Sequence, residues 1–289
     1  MYTQIKKQPS LMGIAANAVA TAQIPTSGSH YALFLECFDS AGTTATTVAN
    51  MKAQIGSIVF RIDGTAIWDV TATFLLALQK YYGDAMVAGN VNGYIPIYFA
   101  PISFQNWVER SVFAIGTNNV GVMTLEVTCA ATITNFGVGN VYSEVSTEVR
   151  NVGQHIRVKK FPQSFASTGI QEISSLPREN AAVGYRALHI EMPGTAVISE
   201  ATVKLGGNAI FDQVKAAFNG VLLAKNYRIA QTGFYHIDFG MNNDLNAFLP
   251  MAGVQDFRQI LTWITAAPSA FNVYAEQIWG LNVTTSATK

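Results

Sequence analysis

Apolar and polar residues alternate along many short stretches of this chain, and the same stretches occur twice. Ala32-Leu33-Phe34-Leu35-Glu36 reappears 155 residues later as Ala187-Leu188-His189-Ile190-Glu191, with the second and fourth residues apolar in both copies. A period of two predicts strands with one face turned inward. Ile58, Phe60 and Ile62 alternate with Val59, Arg61 and Asp63, and Ala201, Val203 and Leu205 alternate with Thr202, Lys204 and Gly206, 143 residues on. Each of these strands runs into a turn, at Asp63-Gly64 or at Gly206-Gly207. Ala66-Ile67-Trp68-Asp69 and Ala209-Ile210-Phe211-Asp212 follow, each ending on an aspartate placed to cap a helix. Val70, Phe74, Ala77 and Leu78, and in the second copy Val214, Phe218, Val221 and Leu222, then give one apolar stripe on a short amphipathic helix.

The order continues with Gly93, Ile95, Ile97 and Phe99 against Gly233, Tyr235, Ile237 and Phe239, a spacing of 140. A second helical stretch is expected in each half, carried by Phe104, Trp107, Val108, Val112 and Ile115, and by Val254, Phe257, Ile260, Leu261 and Ile264. Met123 to Glu126 and Val273 to Glu276 are expected as the matching closing strands. The unchanged order of elements reads as an internal duplication. Each half is rich in short strands separated by Gly, Asn, Ser and Thr, which predicts a β-sandwich. A domain of this size can bury about two-thirds of its unfolded surface and needs no disulfide or metal to fold. The stretch from Asn135 to Glu179 lacks clean periodicity and reads as the connector.

Four motifs carry a resemblance: Arg61-Ile62-Asp63-Gly64 ending a strand, Glu109 to Thr117 closing a helix, Lys159-Lys160-Phe161 in the connector, and Glu172 to Arg178 followed by Val183-Gly184-Tyr185-Arg186-Ala187. Together with the order of elements over residues 51–282, the chain resembles the double jelly-roll major capsid proteins of icosahedral, membrane-containing bacteriophages, the corticovirus type in particular. The resemblance implies an all-β fold of two tandem eight-stranded jelly-roll sandwiches with short helical insertions. Its expected organisation is a first jelly roll with an N-terminal arm over 1–140, a connector over 141–180, and a second jelly roll with a short tail over 181–289. It also implies a homotrimeric, pseudo-hexagonal capsomer tiling a virion shell over an internal membrane, assembled in the bacterial host cytoplasm. Separate vertex and membrane-associated virion proteins, and the bilayer at the inner face, would be its other partners. The loop from Asp39 to Asn50, the Gly83 to Gly93 segment and the N-terminal arm depart from the family pattern.

Composition agrees with a subunit that packs against copies of itself. Lys plus Arg and Asp plus Glu number 18 each, and charged residues make up 12% of the 289, against about 25% in an ordinary soluble protein. A neutral chain lacks the field that gathers a polyanion, so no specific nucleic-acid partner is expected. No apolar run reaches the roughly 18 residues that span a bilayer, and the N-terminus lacks the apolar core of a signal peptide. Cys37 and Cys129 have no partner spacing for zinc or a disulfide framework and are expected as buried free thiols.

Candidate chemistry is sparse. His30, His155, His189 and His236 include no His-x-His pair, which argues against a two-domain cupin metal site. His189 with Glu191, and His236 with Asp238, share strand faces and are expected to be solvated there. No nucleophile-elbow, zincin, phosphate-loop or dinucleotide motif is present, so no catalytic residue and no cofactor is expected. For calcium, Asn242, Asn243 and Asp244, beside Asn246, are weak candidates, and a plain turn is the favoured reading of the group. Arg157, Lys159, Lys160 and Arg178 are candidates for lipid headgroups or a neighbouring subunit's carboxylates, or form a solvated basic face. Trp107 and Trp263 are expected to pack in the core beside their helical stripes rather than to anchor an interface. A receptor- or carbohydrate-binding double sandwich is the alternative from another class.

Overall fold

The computed structural model describes residues 3–84, 92–104, 106–165, 167–177, 183–240, 247–265 and 270–280. The chain divides into two compact units, Met1–Lys159 and Lys160–Lys289.

The first unit contains β1 (Thr3–Gln8), β2 (Val19–Ile24), β3 (Ser29–Phe38), β4 (Ile55–Ile62), β5 (Thr65–Val70), β6 (Tyr94–Tyr98), β7 (Ile115–Gly116), β8 (Met123–Cys129) and β9 (Val138–Ser146). Its helices are α1 (Val48–Gln54), α2 (Ala72–Tyr81) and α3 (Trp107–Phe113). One sheet runs β1-β9-β3-β6, with β7 also on β3, and the other contains β5-β4-β8-β2. β10 (His155–Gln163) starts in this unit, where Val158 and Lys159 pair in parallel with Trp68 and Asp69 of β5. Alternation places Met123, Leu125, Val127 and Cys129 of β8 inward. Ile58, Phe60 and Ile62 of the neighbouring β4 and Leu33, Leu35, Ile95 and Ile97 of the first sheet are buried as well.

The second unit contains β11 (Gly169–Ile173), β12 (Val183–Glu191), β13 (Ile198–Leu205), β14 (Asn208–Lys215), α4 (Ala216–Lys225), β15 (Phe234–Asp238), β16 (Leu249–Pro250), β17 (Phe257–Trp263) and β18 (Phe271–Trp279). β12 lies between β15 and β18, and the second sheet runs β11-β17-β13-β14. Tyr185, Leu188, Ile190, Val203, Ile237, Leu261, Trp263 and Val273 form its core.

The two units repeat one pairing scheme. β3 pairs with β6 and β9 as β12 pairs with β15 and β18. β4 pairs with β5 and β8 as β13 pairs with β14 and β17, and β2 pairs with β8 as β11 pairs with β17. Even the irregularities recur: β3 slips register between His30 and Ala32, and β12 between Tyr185 and Ala187. The turns repeat too, because Asp63-Gly64 and Gly206-Gly207 all have positive φ. A two-residue hairpin connection of this kind matches the twist of its strands.

Five expectations change. Phe257–Trp263 is a strand, since β17 sits between β11 and β13 and hydrogen-bonds on both sides. Its helix-like spacing arises because Ile260 and Ile264 point away from the core that holds Phe257, Leu261 and Trp263. The closing strands are therefore β9 and β18, and Met123 to Glu126 corresponds to the start of β17, not to Val273 to Glu276. Asp69 and Asp212 lie inside β5 and β14 rather than at helix caps. Thr71 caps α2 by accepting from the Phe74 amide, and Lys215 supplies α4 with no side-chain cap. Finally, α2 buries its stripe, whereas Phe218 and Val221 of α4 are 56% and 61% exposed. Within 141–180, the stretch expected as a connector, lie the end of β9, all of β10 and β11.

Candidate functional site

The densest chemistry among the described residues is a buried polar ladder on β12, β15 and β18. His189 sits opposite His236 on one side and Tyr274 on the other, while Ala187 sits between Asp238 and Glu276. These positions share the face opposite the apolar core residues Leu188, Ile237 and Ala275. His189, His236, Asp238 and Glu276 are all buried, contrary to the solvated face expected for the histidines.

Hydrogen bonds select the tautomers of the histidine pair. The Gln231 amide donates to His236 Nε2 at 3.3 Å, so the neutral ring carries its proton on Nδ1. That proton is directed to His189 Nδ1 at 2.6 Å, and His189 Nε2 donates in turn to Glu276 Oε1 at 2.7 Å. Arg186 lies 3.6 Å from the other Glu276 oxygen. Beside them Arg228 donates to Asp238 Oδ2 at 3.0 Å, and the Gly240 amide donates to Oδ1 at 2.8 Å. Burial, then the neighbouring His189, pushes the His236 imidazole well below its ordinary range. Every ring nitrogen of the pair is engaged within the protein, so the arrangement orders strands and leaves no lone pair aimed at a metal. Among the described residues, no group of three or more His, Cys, Asp or Glu side chains has metal-binding geometry.

The first unit holds a different polar set on the corresponding face. Phe34 and Pro96 occupy the places of His189 and His236. Glu36 is the anchor there, accepting from Asn140 Nδ2 at 2.8 Å and from the hydroxyls of Tyr94 and Tyr142. His30, buried near the β7 end of β3, donates through Nε2 to the Pro25 carbonyl at 3.1 Å and meets Ser143 Oγ at 2.6 Å. Burial lowers its imidazole to about 4, with Lys6 adding to the fall and the Pro25 bond opposing it. The signal for the true closing strands is a short repeat: Asn140-Val141-Tyr142-Ser143-Glu144 returns as Asn272-Val273-Tyr274-Ala275-Glu276.

The residues singled out by sequence fall in different places. Arg157 is buried and donates to the Ala66 carbonyl at 3.1 Å, so it belongs to the β5–β10 contact and not to an exposed basic face. Lys159 and Lys160 are half-buried on the same strand. Arg178, Asn242, Asn243, Asp244 and Asn246 lie outside the described residues. Asp63 ties its turn to the segment entering β8 by accepting from the Gly121 and Val122 amides at 2.9 and 2.8 Å, while Gly64, Gly206 and Gly207 supply left-handed turn positions. Trp263 is buried in the second core, on a strand, and Trp107 stacks on Tyr31 with ring centroids 4.7 Å apart. Cys37 and Cys129 are buried free thiols, and burial pushes both up.

Exposed backbone edges are the remaining feature. β1 ends one sheet of the first unit and β14 ends one sheet of the second, each with no strand on its outer side among the described residues. Unpaired edges recruit further strands unless something covers them.

Comparison with known proteins gives a consistent picture. Residues 5–141 match the family described as viral coat protein P2 N-terminal domain, and residues 156–281 match viral coat protein P2 C-terminal domain. No curated protein sequence matches the chain. The crystal structure of the major capsid protein P2 from bacteriophage PM2 is similar with a TM-score of 0.81 and 16% identity, over 98% of this chain and 99% of that one. The STIV MCP follows at a TM-score of 0.68 and 14% identity, over 100% of this chain and 99% of that one. The PBCV-1 virus capsid protein gives 0.64 and 13%, over 96% of each chain. At these identities the structural likenesses speak for the fold, two jelly rolls in tandem.

Proposed function

The chain belongs to the viral coat protein P2 family and is a viral major capsid protein of double jelly-roll fold, and from that premise we propose that it works as a homotrimer. The observation that carries this reading is the repeated pairing scheme, which puts two like sandwiches in one chain. Three copies then present six similar units, the number a hexagonal tile needs, and rotational symmetry closes the contact without leaving an open end. The low charge supports it, since a neutral surface does not repel its own copies.

On the same reading the trimers tile an icosahedral shell over an internal bilayer, beside separate vertex and membrane-associated proteins, and assemble in the host cytoplasm. The chain's work is burial of lateral surface, with no catalysis. The saturated hydrogen bonding of the His189 and His236 pair supports a structural role for the most polar buried region. Light scattering on the purified protein tests the trimer. A mass near three times 31.2 kDa is expected, and a monomer at micromolar concentration overturns the reading. The same measurement with a calcium chelator decides whether the ion belongs to the assembly.

A further inference from the structure

β1 and β10 are duplicates of each other. Ile5-Lys6-Lys7-Gln8-Pro9 corresponds to Val158-Lys159-Lys160-Phe161-Pro162, 153 residues on, and each strand precedes the same succession of pairing strands in its half. β5 and β14 are duplicates as well, with Trp68 and Asp69 matched by Phe211 and Asp212. One pair of these four strands meets inside the first unit. Val158 lies parallel to Trp68 and Lys159 to Asp69, which places an apolar pair and an opposite-charge pair side by side.

The other pair stands open. Val158 and Trp68 are buried, whereas Ile5 is 64% exposed and Ile210, beside the half-exposed Phe211, is 45% exposed. Lys6 and Asp212 are both exposed. The outer edges of β1 and β14 carry no strand among the described residues. Helix α4 agrees with an uncovered surface: Phe218 is exposed while its counterpart in α2, Phe74, is buried.

We propose that β1 of one copy docks in parallel on the outer edge of β14 of a second copy, pairing Ile5 with Phe211 and Lys6 with Asp212. Strand addition of this kind satisfies the open backbone groups of both edges at once. It buries the apolar pair as Val158 and Trp68 are buried, and it sets a lysine against an aspartate as Lys159 is set against Asp69. The contact joins unlike surfaces, so it propagates head to tail and closes into a ring when three copies complete the turn. The inference rests on the self-assembly reading above and specifies its interface.

Cysteine cross-linking tests it. Facing residues in a parallel pair project from the same side of the sheet, so Ile5→Cys and Phe211→Cys in one chain are expected to give covalent dimers and trimers with a short bis-maleimide. Chains carrying one substitution each, co-expressed, are expected to give dimers only. Both native thiols are buried, and the single variants alone report their background. As a second measure, Lys6→Glu is expected to weaken trimer association about tenfold or more by setting like charges together, and Asp212→Lys in the same chain is expected to restore it. Native trimers that give no such cross-link, or cross-links confined to single chains, overturn the strand pairing while leaving the trimer standing. A native monomer overturns both. Failure of Asp212→Lys to restore what Lys6→Glu removes overturns the register.

Discussion

Asn272 donates twice to Glu191, from its backbone amide at 3.2 Å and from Nδ2 at 2.7 Å, and Asn140 holds the corresponding place against Glu36 at 2.8 Å. Glu191 ends β12 and Glu36 lies two residues before the end of β3, and in each unit the asparagine comes from the closing strand beside it. The duplication thus extends to a side-chain contact. A charge-assisted bond of this sort contributes about 1.5–3 kcal/mol. Asn272→Ala is expected to lower stability by about that amount. Thermal unfolding of the variant checks it, and Asn272→Asp, which sets two carboxylates together, is expected to lower the midpoint further.

Arg228 and Asp238 form an ion pair in which both side chains are almost wholly buried. Removing one partner leaves an uncompensated charge, so Arg228→Ala is expected to cost about 3–5 kcal/mol. Arg228→Met combined with Asp238→Leu is expected to cost less than the sum of the two single changes. A double-mutant cycle by denaturant unfolding measures that coupling.

Stability should fall with acid. The imidazole of His30 lies at about 4 in the folded protein, against about 6.5 in the unfolded chain. Below 6.5 the unfolded state takes up a proton that the folded state refuses, so stability is complete above that pH and declines as pH falls toward 4. The difference corresponds to on the order of 3 kcal/mol. His236, also pushed down by burial, adds to the decline in the same direction. Unfolding midpoints measured from pH 7 to 4 should show the loss, and His30→Gln should flatten part of the slope.

Gly28 and Gly64 separate two effects of glycine. Both have positive φ, but a Cβ on Gly28 would collide with the Ser146 carbonyl oxygen, while one on Gly64 meets nothing within 4 Å. Gly64→Ala is expected to cost about 1–2 kcal/mol of backbone strain. Gly28→Ala must in addition separate the start of β3 from the end of β9 and is expected to abolish folded protein. Soluble yield and circular dichroism of the two variants distinguish these outcomes.

Several elements were legible in the chain alone because their cause is local. The period-two runs at Ala32 to Glu36 and Ala187 to Glu191, the turns at Gly64 and Gly207, and the helix after each hairpin need only side-chain spacing and backbone preference. The recurrence of that order placed two like domains in the chain. Spacing failed where a neighbour decides the conformation. Phe257 to Ile264 carries a helical pattern, yet β11 and β13 claim its backbone hydrogen bonds on both sides, and a strand results. The pairing of His189 with His236 and Glu276 required three strands distant in sequence to come into register. The difference between α2 and α4 is likewise invisible in their similar stripes. Sequence periodicity determines which face of an element is apolar; only the tertiary structure decides whether anything lies against it, because burial depends on neighbours brought in from elsewhere in the chain.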